Sequence, residues 1–148
     1  MPLSSDLGIK IQACRLDSLV FHRRGMAPEG EHEIESEVGL GVSEPQGDLL
    51  TVRLNYKMVD ASVMDIDAAY VVVLRRTEQF EFDGDELTAW RHVAARLAPV
   101  ILYPFVRETI ATTLQKAGLE GPMPPILDFR RVFDPESIKF TRTEQPTG

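Results

Sequence analysis

The chain has little cysteine and only short apolar runs, which argues against a disulfide-bonded or membrane-spanning protein. Cys14 is the only cysteine among 148 residues, which excludes a disulfide within the chain and is typical of a cytoplasmic protein. The apolar runs are too short to cross a bilayer, and residues 1–12 lack the apolar core of a signal peptide. We therefore expect a cytoplasmic protein with no direct membrane insertion.

Basic and metal-binding residues are also few. The net charge is −7, so nucleic acid is not an expected partner. The three histidines form no His-Glu-x-x-His pattern and, with Cys14, no zinc spacing. Asp83-Gly84-Asp85 lacks the further ligands of a calcium loop and predicts a turn with a helix cap instead. We expect no metal, no cofactor and no enzymatic activity.

Alternating apolar and polar residues predict four strands in the first half of the chain. A Pro-Gln-Gly-Asp turn signal at 45–48 joins the second and third strands as an antiparallel hairpin. In the first strand the apolar phase slips near Ala13-Cys14 and again before Leu19, which predicts two β-bulges. The predicted strands cover residues 9–21, 33–42, 50–58 and 68–82.

The second half predicts helices that cover one face of this sheet. Periodicity indicates a short helix over 87–97, which ends before Pro99. The main helix is predicted to begin near Pro104, whose missing N–H suits a first turn, and to end at Gly118. A proline-rich connection follows, and 126–133 form a strand or a short helix. The predicted fold is α+β, a four-stranded antiparallel sheet followed by a long helix packed on one face.

The chain length indicates one domain. Hydrophobic residues make up 43% of the sequence, which is enough for a single core, and we assign that domain to residues 1–140. Residues 141–148 contain no apolar anchor and are predicted to form a flexible tail.

The predicted main helix lacks a charged face. Opposite its apolar stripe, no charged residue occurs from Thr109 to Leu114. A helix that is not charged on either side is usually packed on both. We predict that a second copy of the chain covers the face formed by Thr109, Thr112 and Thr113, so that the protein is a homo-oligomer.

An acidic ladder of Glu33, Glu35 and Glu37 lies on one face of the second strand. The simpler interpretation is a solvated face, partly neutralised by Arg53 and Lys57 across the hairpin. The functional interpretation is an electronegative docking surface for a basic partner. Both interpretations place the three carboxylates on the outer side of the sheet.

Aromatic residues predict an apolar groove between the sheet and the proline-rich connection. Residues 122–129 contain too much proline to form a regular helix over the fourth strand. Several aromatic residues are equally expected in the core. The residues predicted to line the groove, where a polypeptide client would bind, are Phe80, Phe82, Trp90, Tyr103, Phe105, Ile126 and Phe129.

Two short motifs carry a family resemblance. The stronger is Leu102-Tyr103-Pro104-Phe105-x-Arg107-Glu108, and the second is Pro124-Pro125-Ile126 followed by Phe129. They resemble Leu-Phe-Pro-Tyr-x-Arg-Glu and the one-residue-shorter Pro-Val-Asn-Phe of the preprotein-export chaperone SecB and its SecB-like relatives. The resemblance implies a SecB-like fold and a dimer of dimers whose long helices lie between sheets. It also implies apolar grooves that hold unfolded preproteins without ATP, and the SecA motor as a partner.

Three positions depart from the family where SecB contacts SecA through acidic residues. Ser18, His22 and Val73 stand at those positions, which puts SecA docking in question. Val20, Val71 and Val73 would then form an exposed apolar strip for another partner. Some SecB-like proteins are chaperones of antitoxins, and that variant fits the departures better.

Two functions from different classes follow. The leading hypothesis is an ATP-independent holdase for unfolded or partly folded polypeptides such as preproteins. The alternative is a dedicated chaperone or adaptor of one partner, such as an antitoxin of a toxin–antitoxin system. An enzyme or small-ligand carrier has little support, because no acid, base or metal set accompanies the groove.

Overall fold

A five-stranded sheet and one long helical run dominate the computed structural model, which describes residues 8–25, 33–82, 84–119 and 123–142. The strands are β1 (Ile9–Arg23), β2 (Glu35–Ser43), β3 (Leu49–Asp60), β4 (Met64–Arg76) and β5 (Phe140–Thr141). The helices are α1 (Glu86–His92), α2 (Ala98–Lys116) and α3 (Phe129–Val132), with a π-helical turn at Val93–Leu97 and a 3₁₀ turn at Pro135–Ser137.

The sheet has the order β1-β4-β3-β2-β5, and its first four strands are antiparallel as predicted. Register shifts between Ile11 and Ala13 and between Leu16 and Ser18 confirm the two predicted bulges in β1. The sequence prediction omits β5, which is too short to show alternation and pairs parallel to the end of β2. The sheet is therefore mixed and has five strands.

Thr141, the first residue of the predicted flexible tail, belongs to β5. The Thr141 carbonyl accepts a hydrogen bond from the Glu44 N–H at 2.9 Å, and its hydroxyl donates to the Val42 carbonyl at 3.1 Å. Thr141 is thus held to the sheet by hydrogen bonds, and these do not require the apolar anchor that residues 141–148 lack. Residues 143–148 of the predicted tail lie outside the described residues.

Strand β4 begins and ends earlier than predicted. It starts at Met64, because Asp65 and Asp67 alternate with buried Ile66 as part of the strand. It ends at Arg76, beyond which the Phe80 N–H donates to the Thr77 carbonyl at 3.0 Å and the chain turns. Phe80 therefore does not continue the strand, although its spacing from Phe82 suggests that it does.

The core lies between the sheet and α2. Alternate residues of β3 from Leu50 to Met58 are fully buried, and so are Val106 and Ile110 of the apolar stripe predicted for the helix. Burial of each large apolar side chain stabilises the fold by about 1.5–3 kcal/mol. This packing fixes α2 across the sheet and so determines which face of the helix is left outward.

The predicted break between two helices is wrong. Helical structure continues from Glu86 to Lys116 through the π-helical turn, and Pro104 lies inside α2 and not in its first turn. Pro104 removes the donor for the Val100 carbonyl, but both residues are exposed, so water can replace that hydrogen bond. Pro99 is the second residue of α2 and lies at the junction with the π-helical turn, inside the same continuous helical run.

Both predicted ends of the helical run are confirmed. The Asp85 carboxylate accepts from the Leu87 N–H at 3.0 Å and caps α1, whereas Asp83 lies outside the described residues. Gly118 has φ +74°, and the Leu119 N–H donates to the Leu114 carbonyl at 2.9 Å. This is the Schellman arrangement, in which a left-handed glycine lets the chain leave the helix.

Candidate functional site

One stripe of the helical run faces an irregular segment, residues 123–128. The stripe contains Arg96, Val100, Tyr103, Pro104 and Arg107, which recur at intervals of three to four residues and so share one face of the helix. The segment leads directly into α3 and has no helix or strand of its own. The candidate groove lies between this stripe and this segment.

Two hydrogen bonds hold the segment against α2. The Tyr103 hydroxyl donates to the Pro125 carbonyl at 2.6 Å, and the Arg107 Nε–H donates to the Pro124 carbonyl at 2.8 Å. Proline has no backbone donor, but its carbonyl accepts normally. The helix therefore positions the proline pair through side chains on the face that the core leaves outward.

The Tyr103 hydroxyl is protonated and acts as a hydrogen-bond donor. The Tyr103 side chain is buried, and burial raises its pKa to about 12, with a further increase from nearby Tyr56 that exceeds the opposing effect of Arg107. The phenol is thus protonated at any physiological pH. Its hydrogen bond to the Pro125 carbonyl is therefore available at physiological pH.

The groove consists of two adjoining cavities. One, of about 240 Å³, is mainly apolar and lies between Tyr103 and Pro104 of α2 and the segment. The other, of about 680 Å³, extends toward the π-helical turn and is bounded by Arg96, Asp128 and Arg130. Both cavities are lined by Val100, Leu127 and Phe129, so they form one continuous groove.

The apolar rim of the groove is unusually open to solvent. Ile126 is 86% exposed and Val100 is 55% exposed, although each stands beside buried aromatic residues. Exposed apolar side chains at the mouth of a preformed cavity are typical of a binding site for an apolar ligand.

Charge at the groove is mainly positive. Asp128 caps α3 through the Arg130 N–H at 3.1 Å, and hydrogen bonding by the Arg130 side chain lowers the pKa of this carboxyl. Arg130 is thereby neutralised. Among the described residues, no carboxylate pairs with Arg96 or Arg107.

Neither a metal site nor a spanning helix is found in the part of the chain described. No group of three or more His, Cys, Asp and Glu in that part could hold a metal ion. No helix in that part is long and apolar enough to cross a membrane.

Comparisons with known proteins identify the family. Protein-export protein SecB of Anaplasma phagocytophilum (strain HZ) is 30% identical to this chain over 105 residues. The alignment spans 67% of this chain and 66% of that protein, which is just under two thirds of its length. A SecB-like chaperone of Mycobacterium tuberculosis, solved in complex with a ChAD peptide from the HigA1 antitoxin, superposes with a TM-score of 0.63. This chain belongs to the family of SecB and SecB-like chaperones.

The structural match covers 81% of this SecB-family chain and 88% of the M. tuberculosis chain at 21% identity, and it confirms the predicted fold. A protein of unknown function from Streptococcus agalactiae reaches a TM-score of only 0.41 at 11% identity and is too different to support any conclusion. No family model matches the chain.

The residues predicted to line one groove lie in three places in this SecB-family fold. Tyr103, Phe129 and Ile126 meet at the groove just described. Phe80 packs on Phe82 and Trp90, with ring centroids 5.6 Å and 5.8 Å apart, beyond the end of β4. Trp90 is fully buried, so its assignment to a surface groove is corrected to the core.

The remaining predicted groove residue, Phe105, belongs to the third place. Its ring stacks on Tyr70 of β4 at 5.7 Å, on the side of α2 away from the 123–128 segment. A helix places residues 103 and 105 about 200° apart, so they cannot line the same groove. The sequence analysis predicted a helical break at 97–104 and therefore could not place these residues on faces of one helix. For the same reason it did not predict that Arg96, Val100 and Arg107 line the groove.

The outer face of the sheet is more acidic than the sequence comparison predicts. Glu35 and Glu37 point to this face, as expected, and Glu33 is exposed just before β2. Asp65 and Asp67 of β4 share the face, and Lys57 lies between Glu37 and Asp67 in the register. The alternation of Asp65 and Asp67 with Ile66 is the signal that could have found them.

Arg53 does not neutralise the acidic ladder. Its Nε–H donates to the Asp17 carboxylate at 2.8 Å, and another N–H donates to the Ser18 hydroxyl at 3.1 Å. Asp17 is the bulge residue of β1, so the bulge supplies a carboxylate that the alternation alone would not place there. His22 is exposed and lies opposite Asp65, which pairs with Arg24.

The predicted valine strip is not continuous. Val20 is 62% exposed and lies opposite Asp67, whereas Val71 is only 8% exposed and lies opposite Arg15. Val73 is half-buried, six residues along β4 from Asp67, or about 20 Å at strand spacing. The bulges of β1 shift its register, so the three valines do not form one exposed surface.

The threonine face of α2 is partly covered within the chain. The Thr109 hydroxyl shares a hydrogen bond of 2.6 Å with the Tyr70 hydroxyl, and the Thr113 hydroxyl donates to the Thr109 carbonyl at 2.7 Å. Thr112 is exposed. Beyond Tyr70, the same side of β1 leaves Ile11 and Leu16 exposed at 50% and 45%, because α2 packs on β3 and β4.

Proposed function

We propose that this protein is an ATP-independent holdase chaperone that binds apolar segments of unfolded or partly folded polypeptide in the groove beside α2. The observation that carries the proposal is an open apolar groove, rimmed by exposed Ile126, in a chain of the SecB family. The groove needs no catalytic group for this role, and the relatives found are chaperones and not enzymes.

Energetics imply that several grooves act together. Burial of one large apolar side chain stabilises a complex by about 1.5–3 kcal/mol, whereas ordering one client residue costs about 1–2 kcal/mol. A short segment in a single groove would therefore bind weakly. A long client that engages several grooves of one oligomer gains affinity through effective concentration.

We accordingly propose a homo-oligomer, organised as a dimer of dimers. The exposed apolar side of β1, with Ile11 and Leu16, borders the Thr109, Thr112 and Thr113 face and offers a surface for a second copy. Large exposed apolar surfaces of this kind usually mark interfaces. Light scattering should give a mass above that of one chain, and Leu16→Asp should lower it; a folded wild-type monomer would contradict this part.

The holdase activity can be tested by suppression of aggregation. A chemically denatured client is diluted into buffer with the protein at near-stoichiometric ratio and no nucleotide, and turbidity is followed. Ile126→Ser should weaken client binding about tenfold, because it removes an exposed apolar side chain that a bound client would bury. Leu87→Ser is the matched control, since Leu87 is an exposed leucine of α1 outside both cavities.

Two results would contradict the holdase proposal. One is a folded oligomer that does not delay aggregation. The other is an equal loss of activity in Ile126→Ser and Leu87→Ser, which would mean that the groove is not the binding site.

A second candidate is a dedicated chaperone of an antitoxin. The M. tuberculosis relative was solved with an antitoxin peptide, and Ser18, His22 and Val73 stand at the three positions where acidic residues are expected for SecA docking. Affinity capture from the native host separates the two, because export predicts many preproteins and antitoxin service predicts one partner. A cytoplasmic location is part of both proposals.

A further inference from the structure

The groove has a cation at each end. Arg96 bounds the larger cavity and Arg107 bounds the smaller one, while the shared wall between them consists of Val100, Leu127 and Phe129. The lining includes three arginines and one aspartate, and that Asp128 is already engaged by Arg130. This local charge is opposite in sign to the net charge of −7.

The two end arginines lack carboxylate partners. Both are half-buried, and in residues 8–25, 33–82, 84–119 and 123–142 no Asp or Glu lies within ion-pair distance of either. Arg107 uses Nε for the Pro124 carbonyl, which leaves its terminal N–H groups available. A partly desolvated guanidinium without a counter-charge favours an anionic ligand, and its planar donor set matches a carboxylate.

The spacing of the two cations defines the length of the occupant. Arg107 lies eleven positions after Arg96 in the helical run, which corresponds to about 16 Å along the axis. An extended polypeptide covers that distance with about five residues. The π-helical turn that contains Arg96 is a feature often found at functional sites.

We propose that the groove selects polypeptide segments in which about five apolar residues are flanked by acidic residues, with Arg96 and Arg107 pairing the flanking carboxylates. This inference rests on the proposed holdase function and adds a sequence preference to it.

Binding of three fluorescein-labelled peptides tests the preference. All contain the same five apolar residues and carry two Asp, two Asn or two Lys residues at both ends, so that peptide orientation does not matter. Two partly exposed ion pairs, each worth about threefold, should make the Asp peptide bind about tenfold more tightly than the Asn peptide at 50 mM salt. The Lys peptide should bind most weakly, and 500 mM salt should shrink the differences.

Variants of Arg96 assign the effect to the groove. Arg96→Gln should reduce the Asp-over-Asn preference about threefold, and Arg96→Glu should improve binding of the Lys peptide relative to wild type. Arg75→Gln is the matched control, because Arg75 is an exposed arginine of β4 that lines neither cavity. It removes the same charge and should leave the preference unchanged. Arg107 is left intact because it also holds the 123–128 segment.

The outcomes separate this inference from the holdase proposal. Equal binding of the three peptides by a protein that suppresses aggregation would overturn the charge preference and leave the holdase proposal standing. A preference that survives Arg96→Gln but falls equally in Arg75→Gln would also overturn it, because the effect would then come from overall charge. Failure of a folded protein both to bind any peptide and to suppress aggregation would overturn both proposals.

Discussion

Removing the Tyr103 hydroxyl should loosen the groove without disturbing the core. Tyr103→Phe deletes the 2.6 Å hydrogen bond to the Pro125 carbonyl and leaves the ring packed between Tyr56 and Phe129. A single neutral hydrogen bond contributes about 0.5–1.5 kcal/mol, and exposed Pro125 can accept from water instead. We expect a loss of about 1 kcal/mol in the free energy of unfolding, or about 2–4 °C in Tm.

The same substitution should lower the affinity for a client while leaving the sheet and its core almost unchanged. A 1 kcal/mol shift against the ordered segment reduces the population competent for binding by at most about fivefold, and the apparent affinity falls with it. Hydrogen exchange at the Ile126 and Leu127 amides should accelerate, whereas exchange in β3 should change little. Peptide titration, urea unfolding and hydrogen exchange measure the three effects.

Tyr70→Phe is the matched control for this experiment. Its hydroxyl also forms a 2.6 Å hydrogen bond with α2, through Thr109, but on the other side of the helix. It should cost similar stability and leave peptide affinity unchanged. Equal loss of affinity in both variants, or unchanged segment exchange in Tyr103→Phe, would refute the role assigned to the Tyr103–Pro125 contact.

Three further predictions concern stability. Burial raises the pKa of Tyr103 to about 12, so above a pH of about 10 the folded chain keeps a proton that the unfolded chain loses. The free energy of unfolding should therefore fall between pH 10 and pH 12. Urea titrations at these pH values should show a smaller fall in Tyr103→Phe. Ile110→Ala should cost about 2–5 kcal/mol by urea unfolding, since Ile110 is fully buried, and a cost below about 1 kcal/mol would contradict the packing of α2 on the sheet. Asp85→Ala should cost about 1 kcal/mol and Asp85→Asn much less; equal costs would indicate that the carboxylate does not act as a cap.

Strands and helix ends were predictable because they depend on local periodicity and local backbone chemistry. Alternation located β1, β2 and β3, a lapse in the phase located both bulges, and Gly118 marked the end of α2. The proline rule failed at Pro104, because exposure at that position allows water to satisfy the Val100 carbonyl. That error hid the continuous stripe from Arg96 to Arg107, so Arg96, Val100 and Arg107 could not be anticipated as parts of the groove wall.

By itself, the sequence determined the order of strands and helices, the apolar face of α2 and the two motifs that indicate the SecB family, since each is encoded by neighbouring residues. Only the tertiary structure decided which aromatic residues are accessible: Trp90 became core, Phe105 turned toward Tyr70, and Tyr103 reached Pro125. The physical reason is that exposure depends on which face of a helix meets the sheet, and that depends on contacts between residues far apart in the chain.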